Sequence, residues 1–182
     1  MSFRLSGNTL TEGAPLAYLL TFTCYGTHLH GSPGGSVDPQ HNVFGTPLLP
    51  ESSRRERANR RRLAKPPYYL DESKRKLVLK AIRLVCQEKE WDLIALHVRR
   101  THVHSVVGGE TSPKRIRAAM KYRASRLLSA VEVEPRRRWT DGGSGRYLWT
   151  PEAVAGAVDY VLLQQGKPME TYEKEGWVFQ FC

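Results

Sequence analysis

The chain has 182 residues, 40% hydrophobic and 25% charged, a composition that suits one domain over residues 1–182 and excludes a collagen, a membrane bundle or a wholly disordered tail. Lys and Arg number 28 against 18 Asp and Glu, a net charge of +10, and a basic domain of this size meets polyanions first, because each neutralised phosphate releases condensed counterions. Three scattered cysteines, Cys24, Cys86 and Cys182, suggest neither a disulfide framework nor a zinc knuckle, and the longest apolar run, residues 16–20, is far short of a membrane span; a cytoplasmic protein is expected.

Residues 16–25 (LAYLLTFTCY), closed by Gly26, read as a buried strand. From about 31 to 67 turn formers give way to an almost wholly basic run, RRERANRRR at 54–62, which reads as a basic loop insertion. Its arginines serve either as a flexible arm on nucleic acid or as the solvated face of a short helix. Asp71 can cap a helix to about residue 90 with Leu77, Val78, Ala81, Ile82 and Val85 on one stripe. Residues 91–99 and 102–108, joined by a tight turn, form an antiparallel hairpin. Ser112 and Pro113 open a helix to about residue 130, with Ile116, Met120, Ala124 and Leu127 inward. Lys114, Arg117 and Lys121 share another face, a phosphate track or plain solvated surface.

Residues 134–145 are a second basic connection, and 146–149 (RYLW) are a short strand or an extended lead-in. Thr150, Pro151 and Glu152 start the last helix, which Gly166 ends. At 100° per residue, Val154, Val158, Val161 and Gln165 fall in one narrow arc, so the valines face a core. The order strand, helix, strand, strand, helix, short strand, helix predicts an α+β fold. It is a ferredoxin-like antiparallel sheet with helices on one face and an appended C-terminal helix.

His102-Val103-His104 lies on a strand, where alternate side chains leave the same face about 7 Å apart, so both imidazoles can converge on one ion. Two surface histidines on an open sheet face are the plainer alternative. A catalytic ion keeps open positions for water and substrate, and a third protein ligand is to be sought. Tyr160 and Gln164, four apart on the last helix and away from its valines, would point at the histidines if that helix packed on the sheet edge. His28-Leu29-His30 repeats the spacing, but in a turn-rich segment where alternation is not enforced. His97 has a face set by the hairpin register, and a role in the core or in support of the histidine pair is expected for it.

His102-Val103-His104-Ser105-Val106-Val107 resembles the HUH motif, and residues 160–164 (YVLLQ) are similar to the nucleophile helix of single-tyrosine transposases, the insertion-sequence enzymes and the REP-associated tyrosine transposases. Residues 20–31 (LTFTCYGTHLHG) and 145–149 (GRYLW) are also similar to segments of bacterial relatives, and the resemblance spans residues 18–166. Ser105 departs from the apolar residue usual there, and the stretch 31–67 is longer than in the smallest members.

The resemblance implies a metal-dependent endonuclease and strand transferase for single-stranded DNA, acting in transposition or repeat mobilisation. His102, His104 and Gln164 would hold Mg²⁺ or Mn²⁺, and Tyr160 would attack phosphorus to leave a 5′-phosphotyrosine and a free 3′-hydroxyl. Family members recognise a DNA hairpin beside the cleavage site, for which Arg54, Arg55, Lys114, Arg117, Lys121, Arg136 and Arg137 are the available phosphate contacts. Tyr147 and Trp149 are candidates for stacking on unpaired bases, or else core aromatics. Relatives work as homodimers or as monomers. A single-stranded nucleic-acid-binding protein that no longer cuts, or a hydrolase using water on a small phosphoester, are the readings from other classes, and covalent attachment to DNA separates them from the first.

Overall fold

The computed structural model describes residues 4–5, 8–9, 13–29 and 52–177. Most of the expected insertion, His30 and Cys182 lie outside them. Two short strands, β1 (Arg4–Leu5) and β2 (Asn8–Thr9), pair with each other. The main sheet is built from β3 (Ala17–Thr23), β4 (Asp92–Val98), β5 (His102–Gly108), β6 (Ser144–Leu148) and β7 (Glu170–Glu173) in the order β6-β3-β5-β4-β7, antiparallel throughout. The first four strands of that order, β6-β3-β5-β4, are the split βαβ arrangement the sequence predicts. β7 is a fifth strand that it did not predict: ETYE has no apolar alternation, and of its residues Tyr172 alone packs against a core cluster.

Four helices are described: α1 (Ser53–Arg61), α2 (Glu72–Glu88), α3 (Pro113–Ser129) and α4 (Pro151–Leu163). α1 buries nothing, so the basic run forms a short solvated helix within the segment expected to be a loop. The other three start where a cap can accept an orphan N–H: Asp71 from Lys74, Ser112 from Arg115, Thr150 from Ala153. Val78, Ala81, Ile82 and Val85 of α2 and Ile116, Met120, Ala124 and Leu128 of α3 face Tyr18, Leu20, Phe22, Val103 and Val107 of the sheet. Leu128 takes the fully buried place expected of Leu127, because the inward row of α3 runs in steps of four from Ile116.

The last helix departs from the expectation of an edge position. Val154, Ala157, Val158 and Val161 form a second cluster with Leu16, Ala17, Ile94, Ala95, Val106 and Leu148, so α4 covers the sheet face opposite α2 and α3. An irregularity in the β4–β5 register between Leu93 and Ala95 turns both Ile94 and Ala95 under α4. The even positions of β5, His102, His104 and Val106, lie on this same face. Ser105 points the other way, its hydroxyl against the Met120 sulfur, and Cys24 and Cys86 are buried free thiols.

Candidate active site

Strand register lays out the site in two rows on the α4 face. Thr21, His104 and His97 are cross-strand partners on β3, β5 and β4, with Ser144 of β6 at the end of the row. One pair nearer the hairpin turn, Thr23 faces His102, and the N–H of Arg99 donates to the His102 carbonyl at 2.8 Å, which sets Arg99 on its other side. Alternation puts all these side chains on one face. The His102 and His104 rings sit 4.8 Å apart, centroid to centroid. Tyr160 comes down from α4 to 5.5 Å from the His104 ring, and it remains 38% exposed, open to a substrate.

Each imidazole is oriented by a threonine hydroxyl on Nδ1, 2.7 Å from Thr21 Oγ1 to His104 and 2.9 Å from Thr101 Oγ1 to His102, so Nε2 is the nitrogen left for another partner in both. Burial pushes the His104 imidazole down to about 3, helped by His102, His97 and Arg99. Burial, then Arg99, His97 and His28, brings His102 down to about 4. Both rings are therefore neutral at neutral pH and carry the lone pair that a metal needs.

His97 is fully buried and differently engaged. Its Nδ1–H donates to the Val161 carbonyl at 2.9 Å and its Nε2 accepts the Met169 N–H at 3.2 Å. Those two bonds satisfy the ring, fix its neutral tautomer and tie the end of α4 to β4, the core role that the sequence suggests. His28 is exposed on the turn after β3.

The glutamine that meets the histidines is not the expected one. Gln164 is the exposed C-cap of α4, whereas Gln165, one residue on, hydrogen bonds the His104 ring. The Gln165 amide Nε2 donates to the Tyr160 carbonyl at 3.0 Å, which leaves its oxygen for the imidazole side. The helix ends at Leu163, so the four-residue stacking rule stops applying before Gln164 is reached. Helical periodicity gives no signal for Gln165 either, since it too lies past the end of α4. Two imidazole nitrogens and one amide oxygen fit a divalent cation that prefers mixed nitrogen and oxygen ligands. Among the described residues no group of three or more His, Cys, Asp or Glu is placed to hold a metal ion.

The basic residues divide between several places. Arg54 and Arg55 are exposed on α1. The turn after β3 ties this segment to the second basic connection: the Tyr25 carbonyl accepts the Tyr68 N–H, the Tyr25 hydroxyl accepts the Ala64 N–H, and the Tyr25 N–H donates to the Arg138 carbonyl. Lys65, Arg136 and Arg137 consequently share a cavity of about 200 Å³ with Pro66, Tyr68, Glu134 and Pro135. Arg137 also lies over the Tyr25 ring and pairs with Asp141, while Arg138 is buried on Glu132. This end of the sheet is the one that carries His102, the partner of Thr23.

α3 carries Lys114, Arg117 and Lys121 on the opposite face from the histidines. Lys114 is exposed. Arg117 donates to the Ser144 carbonyl, and Lys121 donates to the carbonyls of Thr140 and Gly142, so both hold the connection into β6. Burial, with Arg117 nearby, pushes the Lys121 amine down to about 8. Tyr147 packs edge-on against Tyr18 and stacks on Trp149 with the rings 5.9 Å apart and 11° from parallel. They are 47% and 56% exposed, which makes them an open aromatic pair at the β6 edge rather than core residues.

No family model and no curated protein matches the chain. Among solved structures, one described as a REP-associated tyrosine transposase bound to a REP hairpin shares 9% identity over 88% of this chain and 72% of its own, with a TM-score of 0.49. A second, described as a provisionally assigned transposase from Deinococcus radiodurans R1, shares 14% identity over 87% of this chain and 95% of its own, with a TM-score of 0.47.

Proposed function

We propose that the chain is a metal-dependent endonuclease and strand transferase of single-stranded DNA, with Tyr160 as its nucleophile, acting in the movement of a DNA element or of dispersed repeats. The observation that carries this reading is the meeting of an exposed tyrosine with two neutral imidazoles and a glutamine amide, drawn from β5 and α4 onto one sheet face. The Tyr160 oxygen would bond to phosphorus as the bond from phosphorus to the 3′-oxygen breaks. The phenol gives up its proton, the departing 3′-oxygen gains one, and the diester is kept as a 5′-phosphotyrosine for rejoining to another strand.

His102, His104 and Gln165 would hold Mg²⁺ or Mn²⁺, which when bound polarises the non-bridging oxygens of the scissile phosphate. The chain's own residues prepare the geometry. Thr21 and Thr101 aim the imidazoles, Gln165 is fixed by the Tyr160 carbonyl, and the valines of α4 lock the helix that presents the phenol. Arg54, Arg55, Lys65, Arg136 and Arg137 offer phosphate contacts to a hairpin stem at the histidine end of the sheet. Tyr147 and Trp149, across the β6 edge, suit unpaired bases.

The test mixes the protein and Mn²⁺ with single strands from the flanks of its own gene and looks for an adduct that survives SDS. The expected result is a labelled adduct that needs the metal and is lost in Tyr160→Phe and His102→Ala. Binding without any adduct or cut on every flanking strand would favour a non-cutting DNA-binding protein. Cutting that survives Tyr160→Phe would assign the attack to water.

A further inference from the structure

Arg99 stands one residue beyond β4 as the cross-strand neighbour of His102, on the face shared with His97 and His104. Its guanidinium reaches over the end of α4, where Nη1 donates to the Lys167 carbonyl at 3.2 Å. Lys167 is two residues past Gln165, whose amide touches His104, so the charge lies between the histidine pair and the end of the tyrosine helix. Its field reaches His97, His102 and His104, and in each it disfavours the protonated ring.

What sets Arg99 apart is a charge without an acid beside the histidine pair; Arg75 and Arg117 also donate to main-chain carbonyls, but from α2 and α3 on the opposite face of the sheet. Arg60, Arg123, Arg137 and Arg138 each pair with a carboxylate. Among the described residues no such pair forms at Arg99, and no carboxylate appears among the groups that act on the three imidazoles. On the face that carries the two imidazoles and Tyr160, a half-buried guanidinium with no carboxylate beside it can take an anion, and its fork matches the oxygens of a phosphate diester.

We infer that Arg99 binds the scissile phosphate, donating to a non-bridging oxygen and neutralising the charge that grows there as Tyr160 attacks. This rests on the nucleolytic reading above and adds a catalytic residue to it. Bond changes are those already given: the bond from Tyr160 to phosphorus forms, the bond to the 3′-oxygen breaks, and Arg99 keeps its proton throughout. A preorganised donor at such an oxygen is worth about 10²–10³ in rate.

The experiment measures single-turnover adduct formation with Mn²⁺ for the wild type, Arg99→Ala and Arg99→Lys. The substrate is a gene-flanking strand that the wild type cleaves, with its scissile linkage either an ordinary phosphodiester or a methylphosphonate, which has no negative non-bridging oxygen. On the phosphodiester, Arg99→Ala is expected to be slower by about 10²-fold at saturating DNA, with Arg99→Lys between the two. On the methylphosphonate the gap between the wild type and Arg99→Ala is expected to shrink to less than about 10-fold, since the charge to be neutralised is gone. An unchanged rate in Arg99→Ala, or the same loss on both linkages, would overturn the inference and leave Arg99 as the clamp on Lys167. If the wild type forms no adduct on any strand, the nucleolytic reading falls and this inference with it.

Discussion

Lowering the pH from 7 to 5 should destabilise this protein, and mainly through its histidines rather than its carboxylates. An imidazole near 6.5 in the unfolded chain but about 4 in the fold, as for His102, costs about 1.8 kcal/mol over that interval, because the unfolded state takes up a proton that the folded state refuses. His104, at about 3, adds a similar amount, so the pair contributes on the order of 3–4 kcal/mol. The sign follows from the depressed values: stability is complete above about pH 6.5, falls as pH drops below it, and levels only near the folded values of 4 and 3. His97 acts in the same direction, since burial and then the Arg99 charge disfavour its protonated ring, and the N–H of Met169 occupies the nitrogen that would take the proton. Asp71, Glu72, Glu132 and Glu152 are held below their ordinary values and act in the same direction, but their unfolded counterparts are still mostly ionised at pH 5, so their share is small. Urea unfolding in EDTA at the two pH values measures it. The wild type should lose a few kcal/mol at constant m-value, and the double variant His102→Asn, His104→Asn should lose much less. A wild type equally stable at both, or a double variant with an undiminished slope, would refute the burial account of these rings.

Three other outcomes are expected. Gln165→Ala should weaken Mn²⁺ binding, read as the metal-induced rise in melting temperature, by about 10-fold or more, while Gln164→Ala leaves it unchanged; the opposite order would restore Gln164 as the ligand. Leu128→Ala should cost about 2–5 kcal/mol in chemical unfolding and Leu127→Ala clearly less, since the first is fully buried and the second only partly. Trp149→Ala should weaken oligothymidylate binding by about 1–3 kcal/mol and remove most of the fluorescence quenching that the wild type shows, because Trp139 is buried and Trp91 and Trp177 are partly buried against the two core clusters; quenching that persists would place the stacked base elsewhere.

Much of this molecule is local and so was legible along the chain. Caps, proline at first helical turns and apolar periods act within a few residues of themselves, which is why the hairpin, α2, α3 and the start of α4 stand where the sequence put them. The alternation that sets His102 and His104 on one face is equally local. β7 was not legible, because an edge strand with one apolar residue takes its identity from the strand it pairs with. Neither was the meeting of Lys65 with Arg136 and Arg137, which depends on hydrogen bonds to one turn after β3.

The sequence by itself determined which elements form and that two imidazoles leave the sheet together. Only the tertiary structure decided what stands opposite them. The stripe on α4 could have covered an edge or a face, and packing on the face left open by α2 and α3 is what brings Tyr160 to His104. Ending the helix at Leu163 then turns Gln165 instead of Gln164 to the same ring, and the strand register sets Arg99 beside His102. These choices rest on contacts between residues distant in the chain, where propensity and period have no reach.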